Sequence, residues 1–78
     1  MSEYALDARK LLCPLPVIRT QDRIVSLAHN DTLVVTCTDP GVLHDIPAWC
    51  RIHGHEVLDT RTEEREQIIT IRVQKAGG

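Results

Sequence analysis

The chain has 78 residues, enough for one domain, residues 1–78, that buries roughly 60–65% of the surface of its unfolded form. A formal charge of −2 argues against a strong electrostatic hold on nucleic acid, and the presence of one Trp, one Tyr and no Phe argues against base stacking. No apolar run approaches the roughly 18 residues of a membrane helix, and the first ten residues lack the apolar core of a signal peptide. Three cysteines without paired short spacings do not indicate a disulfide framework. We therefore expect a cytoplasmic protein that contacts neither membrane nor nucleic acid directly.

The apolar pattern predicts four strands and two helices in the order β-α-β-α-β-β. The strands are predicted at residues 4–7, 32–38, 55–62 and 68–74, and the helices at residues 14–28 and about 46–53. In the last segment Ile69, Ile71 and Val73 alternate with polar residues, which indicates a strand with one solvent-exposed face. Helices should therefore cover only one side of the sheet. These features predict a two-layer α/β sandwich with a mixed four-stranded sheet and two helices on one face.

The second helix has two candidate starting points. Asp39-Pro40 and Asp45-x-Pro47 both place a capping acid shortly before a proline, which is the usual order at the start of a helix. We expect a short turn at the first of these, a helix that begins again near residue 46, and a C-terminal cap at Gly54.

Cys13, Pro14, Leu15 and Pro16 lie where a loop is predicted to become the first helix. Proline is tolerated in the first helical turn because the N–H that it lacks would have no partner there. With Cys13 as the N-cap residue, Pro14 takes the first helical position and Pro16 the third. Only Leu15 then keeps an N–H, and that group should point toward the sulfur. The positive end of the helix dipole favours a thiolate over a thiol.

These residues predict an exposed and activated thiol at Cys13, and Arg9 and Lys10 just upstream add positive charge. The alternative is that Cys13 is a small buried apolar residue, because free cysteine is among the most buried residue types. Leu15 is predicted to project from the polar side of the helix, where an apolar side chain beside the thiol suggests a docking contact.

The other two cysteines are predicted to belong to the core. Cys37 shares a strand face with Leu33 and Val35, and Cys50 lies beside Trp49 on the apolar side of the second helix. A redox role for Cys37 or Cys50 is the alternative that the sequence leaves open.

Five segments, in their order and spacing, resemble the TusA/SirA sulfur-carrier family over nearly the whole chain. They are Leu6-Asp7, Cys13-Pro14-Leu15-Pro16-Val17, Thr38-Asp39-Pro40, Asp45-Ile46-Pro47 with Cys50, and Gly54-His55-Glu56. The CPxP motif at the start of a helix is the diagnostic part. The fold of that family is a β-α-β-α-β-β two-layer sandwich, which agrees with the order predicted above. Many members carry a glycine three residues before the cysteine, where this chain has Lys10, so the positive φ that glycine permits there is left open.

The resemblance implies that Cys13 carries a persulfide, that Pro14, Leu15 and Pro16 support it, and that neither a cofactor nor a metal is required. A cysteine desulfurase or a rhodanese-type protein would donate sulfane sulfur, and a cysteine of an acceptor protein would remove it. Such carriers supply thiolation of the wobble uridine in tRNA, synthesis of other sulfur-containing cofactors, or sulfur oxidation. The sequence leaves these routes open.

Three other functions are alternatives to the sulfur carrier. The Gly77-Gly78 tail is of the type that becomes a thiocarboxylate in ubiquitin-like sulfur carriers, although the element order is not that of a β-grasp fold. A regulatory or protein-interaction module without sulfur chemistry would use the prolines only to begin a helix. A metal site would draw on His44, His53 and His55 with a cysteine, although no C-x-x-C pair is present.

Overall fold

The computed structural model describes residues 2–75, and its elements follow the predicted order. They are β1 (Glu3–Ala8), α1 (Leu15–Val25), β2 (Thr32–Cys37), α2 (Val42–His53), β3 (Glu56–Glu63) and β4 (Glu66–Arg72). The predicted β-α-β-α-β-β order is confirmed, and no strand boundary differs by more than two residues from its prediction. Neither helix in residues 2–75 has the length and apolar character needed to cross a membrane. The Gly77-Gly78 tail lies outside the described residues.

The four strands form one mixed sheet in the order β1-β2-β4-β3. β1 runs parallel to β2, whereas β4 is antiparallel to both of its neighbours, β2 and β3. Parallel strands cannot be joined by a tight turn, so the chain crosses over between β1 and β2 through α1. A second crossover through α2 carries the chain from β2 past β4 to β3. Both helices contact the sheet and each other, which confirms the predicted two-layer sandwich.

The core lies between the helices and one face of the sheet. Along β2, Leu33, Val35 and Cys37 are buried while the residues between them are half-exposed, and β4 alternates in the same way. The helices contribute Pro16, Thr20 and Ile24 from α1, and Val42, Ile46 and Cys50 from α2. Cys37 and Cys50 have no exposed surface, so their predicted place in the core is confirmed.

α2 is one continuous helix from Val42, so the predicted new start near residue 46 is wrong. The turn before it does begin at Asp39, whose Oδ1 accepts the N–H of Gly41 at 2.9 Å. Pro47 lies inside the helix, where it removes one ladder hydrogen bond while its fixed φ still fits helical backbone. The predicted C-terminal cap is confirmed, because Gly54 adopts the left-handed conformation with φ of 80°.

Candidate functional site

Cys13 is exposed in the loop between β1 and α1. This position excludes the alternative of a buried cysteine. Helix α1 begins at Leu15, and its N-cap residue is Pro14, which makes no side-chain capping bond. The prediction that Cys13 is the N-cap residue is therefore wrong by one position, and Pro16 takes the second helical position instead of the third. The Cys13–Pro14 peptide bond is cis.

The N–H of Leu15 does not point to the sulfur. It donates to the carbonyl of Leu12 at 2.9 Å, and the N–H of Ile18 donates to the carbonyl of Pro14 at 3.1 Å. The predicted contact between the Leu15 N–H and Cys13 is therefore wrong, because the loop turns tightly enough for a preceding carbonyl to reach that donor first.

Two carboxylates hold Cys13 in place, one from Asp39 between β2 and α2 and one from Asp45 in the first turn of α2. Its Sγ donates to Oδ2 of Asp45 at 3.1 Å, and its backbone N–H donates to Oδ2 of Asp39 at 3.1 Å. The partners are separated from Cys13 by 32 and 26 positions along the chain. The sequence assigns both aspartates to helix caps and not to the site. The one signal that pointed to them was their membership in the segments that carry the family resemblance.

These carboxylates raise the pKa of the Cys13 thiol above its ordinary value. The hydrogen bond to Asp45 is the main cause, and desolvation and repulsion from Asp45 and Asp39 act in the same direction. A thiolate at Cys13 would lie beside two negative charges, which disfavours the charged form. The predicted thiolate of the free protein is therefore wrong: the helix dipole favours it, but the nearer carboxylates oppose it.

The upstream cations do not offset these carboxylates. The guanidinium of Arg9 pairs with Asp7 at 2.9 Å and with Glu66 at 3.3 Å, and its hydrogen bonds lower the pKa of Asp7 to about 2. Lys10 forms no ion pair with any residue between 2 and 75, and its side chain lines a cleft beside the Cys13 loop together with Arg19. The charge closest to the sulfur is thus negative.

Lys10 adopts the positive-φ conformation that the sequence left open at this position. Its φ is 64°, in the left-handed region, and its N–H donates to Oγ1 of Thr38 at 2.9 Å. The positive-φ turn before Cys13 is therefore kept, although a residue with a Cβ occupies it at a cost of roughly 1–2 kcal/mol. Thr38 and Asp39 together tie the Cys13 loop to the end of β2.

Three exposed apolar side chains lie in the motif or within two residues of it. Leu12 is 75% exposed, Leu15 43% and Ile18 44%, and we call these three residues the apolar rim. Leu15 and Ile18 are three residues apart in α1 and so share one face of it. The predicted exposure of Leu15 is confirmed.

The histidines weighed as metal ligands do not converge on Cys13. His53 and His55 flank Trp49, with ring centroids 4.5 and 5.4 Å from it, at the C-terminal end of α2. Nδ1 of His55 accepts the N–H of Gln74 at 3.0 Å, and burial lowers the pKa of His55. Within residues 2–75, no three His, Cys, Asp or Glu side chains are grouped so as to hold a metal ion.

The two buried cysteines are poor nucleophiles. Burial raises the pKa of Cys37 to about 11, and it does the same for Cys50. Both therefore remain thiols at neutral pH, and the surrounding core separates them from any reagent in solution.

Comparison with known proteins relates this chain to proteins that are named for sulfur transfer. Residues 4–75 match the sequence model of the family described as Sulfurtransferase TusA. NMA0882 of Neisseria meningitidis serogroup A, named as a candidate sulfur carrier protein, is 36% identical over 74 residues that cover 95% of this chain and 97% of that protein. YrkI of Bacillus subtilis, named in the same way, is also 36% identical over 74 residues, covering 95% of this chain and 96% of that protein.

A solved structure has the same fold. The crystal structure of a SirA-like protein from Desulfitobacterium hafniense superposes with a TM-score of 0.81 at 18% identity. The match covers 92% of this chain and 99% of that one.

Proposed function

The chain belongs to the TusA sulfurtransferase family, and from this membership we propose that it is a sulfur carrier whose Cys13 holds a persulfide. The observation that carries the proposal is the exposure of Cys13, in contrast to the complete burial of Cys37 and Cys50. A carried sulfur atom has to reach two proteins in turn, and only an exposed thiol offers that access.

Loading is an exchange of one sulfur–sulfur bond for another. The donor is a cysteine desulfurase or a rhodanese-type protein with a persulfide anion on its own cysteine. Sγ of Cys13 attacks the outer sulfur of that persulfide, the S–S bond of the donor breaks, and a new S–S bond forms at Cys13. The thiol proton of Cys13 passes to the sulfur that leaves, so the donor regains a thiol and Cys13 becomes a persulfide anion.

Unloading repeats the exchange with an acceptor protein. A thiolate of the acceptor attacks the outer sulfur, the S–S bond at Cys13 breaks, and the proton released by the acceptor restores the Cys13 thiol. Asp39 and Asp45 lie within hydrogen-bonding distance of Cys13, so a persulfide anion there is repelled by both carboxylates. This repulsion favours onward transfer over storage.

The residues around Cys13 fix the backbone of its loop and provide a surface for partner proteins. Pro14 and Pro16 restrict the backbone at the start of α1, and Leu15 belongs to the apolar rim that a partner covers when it docks. No cofactor or metal takes part. The protein acts as one domain, residues 1–78, in the cytoplasm, and supplies sulfur for tRNA thiolation or for another route of sulfur trafficking or oxidation.

Replacement of each cysteine in turn tests the proposal. The wild type and the Cys13→Ser, Cys37→Ala and Cys50→Ala variants are incubated with a bacterial cysteine desulfurase and ³⁵S-labelled cysteine, and the label bound to the carrier is counted. We expect Cys13→Ser to lose essentially all label, and the other two variants to keep it in proportion to their folded fraction, measured by circular dichroism. Full labelling of Cys13→Ser would refute the proposal and favour a thiocarboxylate at Gly78, whereas a wild type that takes up no label would favour the interaction module without sulfur chemistry.

A further inference from the structure

We propose that Asp45 keeps the unloaded Cys13 as a thiol, and that the carrier accepts sulfur when a cationic group of the docked donor pairs with Asp45. This inference rests on the proposed sulfur-carrier function, because it assigns to the same site a control over when the thiol reacts. It also defines the chemistry of the donor surface: an apolar patch next to a Lys or Arg side chain.

One atom, Oδ2 of Asp45, determines the protonation of the Cys13 thiol in this proposal. Oδ2 of Asp45 accepts the Sγ–H of Cys13 at 3.1 Å, and Asp45 lies in the first turn of α2, so its position is fixed by a helix and not by a loop. A carboxylate that accepts the thiol hydrogen stabilises the protonated form. Among residues 2–75, both charged side chains that accept hydrogen bonds from Cys13 are negative, Asp45 at the thiol and Asp39 at the backbone N–H. The guanidinium of Arg9 forms ion pairs with Asp7 and Glu66. Lys10 and Arg19 face the neighbouring cleft.

Docking of the donor changes the hydration of the Asp45 carboxylate. The side chain is half-buried, and Leu12 and Leu15 of the apolar rim lie in and next to the loop that it contacts. A partner that covers these leucines removes water from Asp45, and among residues 2–75 no cation forms an ion pair with it. A desolvated carboxylate without a cation is costly. The donor must therefore supply the cation, and that cation withdraws Asp45 from the thiol.

The proton then moves together with sulfur. While the cation holds Asp45, the Sγ–H bond breaks, Sγ bonds to the outer sulfur of the donor persulfide, and the S–S bond of the donor breaks. The proton ends on the cysteine sulfur of the donor, which leaves as a thiol. Asp45 remains a carboxylate before and after the reaction, so it is a positioning residue and is not consumed.

Alkylation of the free carrier tests the first half without any sulfur chemistry. The rate of iodoacetamide addition to Cys13 is followed by mass spectrometry from pH 5 to pH 10 for wild type, Asp45→Asn, Asp45→Glu and Asp22→Asn. We expect Asp45→Asn to react about fivefold faster at pH 7, with its profile moved to lower pH, because one adjacent negative charge is removed. Asp45→Glu keeps the charge and should follow wild type. Asp22→Asn, which removes an exposed charge of α1, should do the same.

A profile of Asp45→Asn that coincides with wild type would overturn the proposal. Circular dichroism confirms that each variant is folded. If Asp45→Asn were unfolded, Asp45→Ser, which also lacks the charge, would take its place. The result does not depend on whether the protein carries sulfur, so failure here and failure of the proposed function are distinguishable.

Loading by a bacterial cysteine desulfurase with cysteine tests the second half. We expect Asp45→Asn to need at least about threefold more carrier for half-maximal loading than wild type, although its free thiol is more reactive, because the cation of the donor has lost its partner. Loading of Asp45→Asn at an equal or lower carrier concentration would show that no cation pairs with Asp45 and would contradict the proposal. If wild type is not loaded at all, it is the proposed function that fails.

Discussion

Cys13 shows how two electrostatic influences of opposite sign are weighed at a single residue. The start of α1 favours negative charge near the sulfur, and this influence can be read from the prolines of the motif. The opposing influence comes from Asp39 and Asp45, which are 26 and 32 positions away and reach Cys13 only in the folded chain. The hydrogen bond to Asp45 at 3.1 Å and the repulsion from both carboxylates raise the pKa of the Cys13 thiol, so the thiol is the resting form.

Lys10 has a left-handed backbone conformation, which a residue with a Cβ adopts only at a cost. Substitution Lys10→Gly removes the cost of a Cβ at φ of 64°, which stabilises the folded chain by roughly 1–2 kcal/mol. Glycine also raises the conformational entropy of the unfolded chain, which destabilises the folded chain by about 0.4–1 kcal/mol. We expect a net gain of between about zero and about 1.6 kcal/mol in the free energy of unfolding, measured by urea denaturation.

Ala28→Gly is the matched control for this substitution. Ala28 is also exposed and lies outside the helices and strands, but it has no positive φ, so only the entropy cost applies. It should lose about 0.4–1 kcal/mol. If Lys10→Gly lost stability to the same extent, the claim of backbone strain before Cys13 would be wrong.

At the scale of elements, one aspartate joins the start of β1 to the turn between α1 and β2. Oδ1 of Asp31 accepts the N–H of Ser2 at 3.0 Å, and Oδ2 accepts the N–H of Ala28 at 2.8 Å. The bond from Ala28 is the main reason why the pKa of Asp31 lies below its ordinary value. The carboxylate thus connects the start of β1 to the turn that follows α1.

This lowered pKa predicts an acid-sensitive contribution to stability. Because the pKa is lower in the folded than in the unfolded chain, the stabilisation is present above the ordinary value of 3.8 and is lost as the pH falls through the lowered value. Asp31→Asn should therefore have a lower thermal midpoint than wild type at pH 7, and the gap should narrow below about pH 4. Asp22→Asn should show no comparable gap. A gap for Asp31→Asn that is equally wide at pH 7 and pH 3 would contradict this account.

At the scale of the whole molecule, local pattern was enough for the fold. The alternation of Ile69, Ile71 and Val73 and the β-branched run of β2 predicted a sheet with one covered face, and the structure has that sheet. The prolines of the motif located the exposed cysteine correctly. Local pattern was also enough for Gly54, because a helix end needs only its own neighbours.

Contacts between distant segments could not be predicted in this way. Asp39 and Asp45 each precede a proline, which predicts helix caps, but the N-cap residue of α2 is Gly41. Asp39 lies in the turn before the helix and Asp45 lies inside its first turn. Their second role, as acceptors for Cys13, depends on how α2 packs beside the β1–α1 loop. No spacing along the chain encodes that placement, and the predicted charge of the thiol was wrong for the same reason.

The most direct test of the central claim is the position of the carried sulfur in the wild-type protein. After incubation with a cysteine desulfurase and cysteine, free thiols and persulfides are capped, and every peptide is analysed by mass spectrometry before and after reduction with dithiothreitol. We predict one additional sulfur atom on the peptide that contains Cys13, removed by the reductant. An additional sulfur on Cys37, on Cys50 or at the carboxyl group of Gly78, with none at Cys13, would contradict the account.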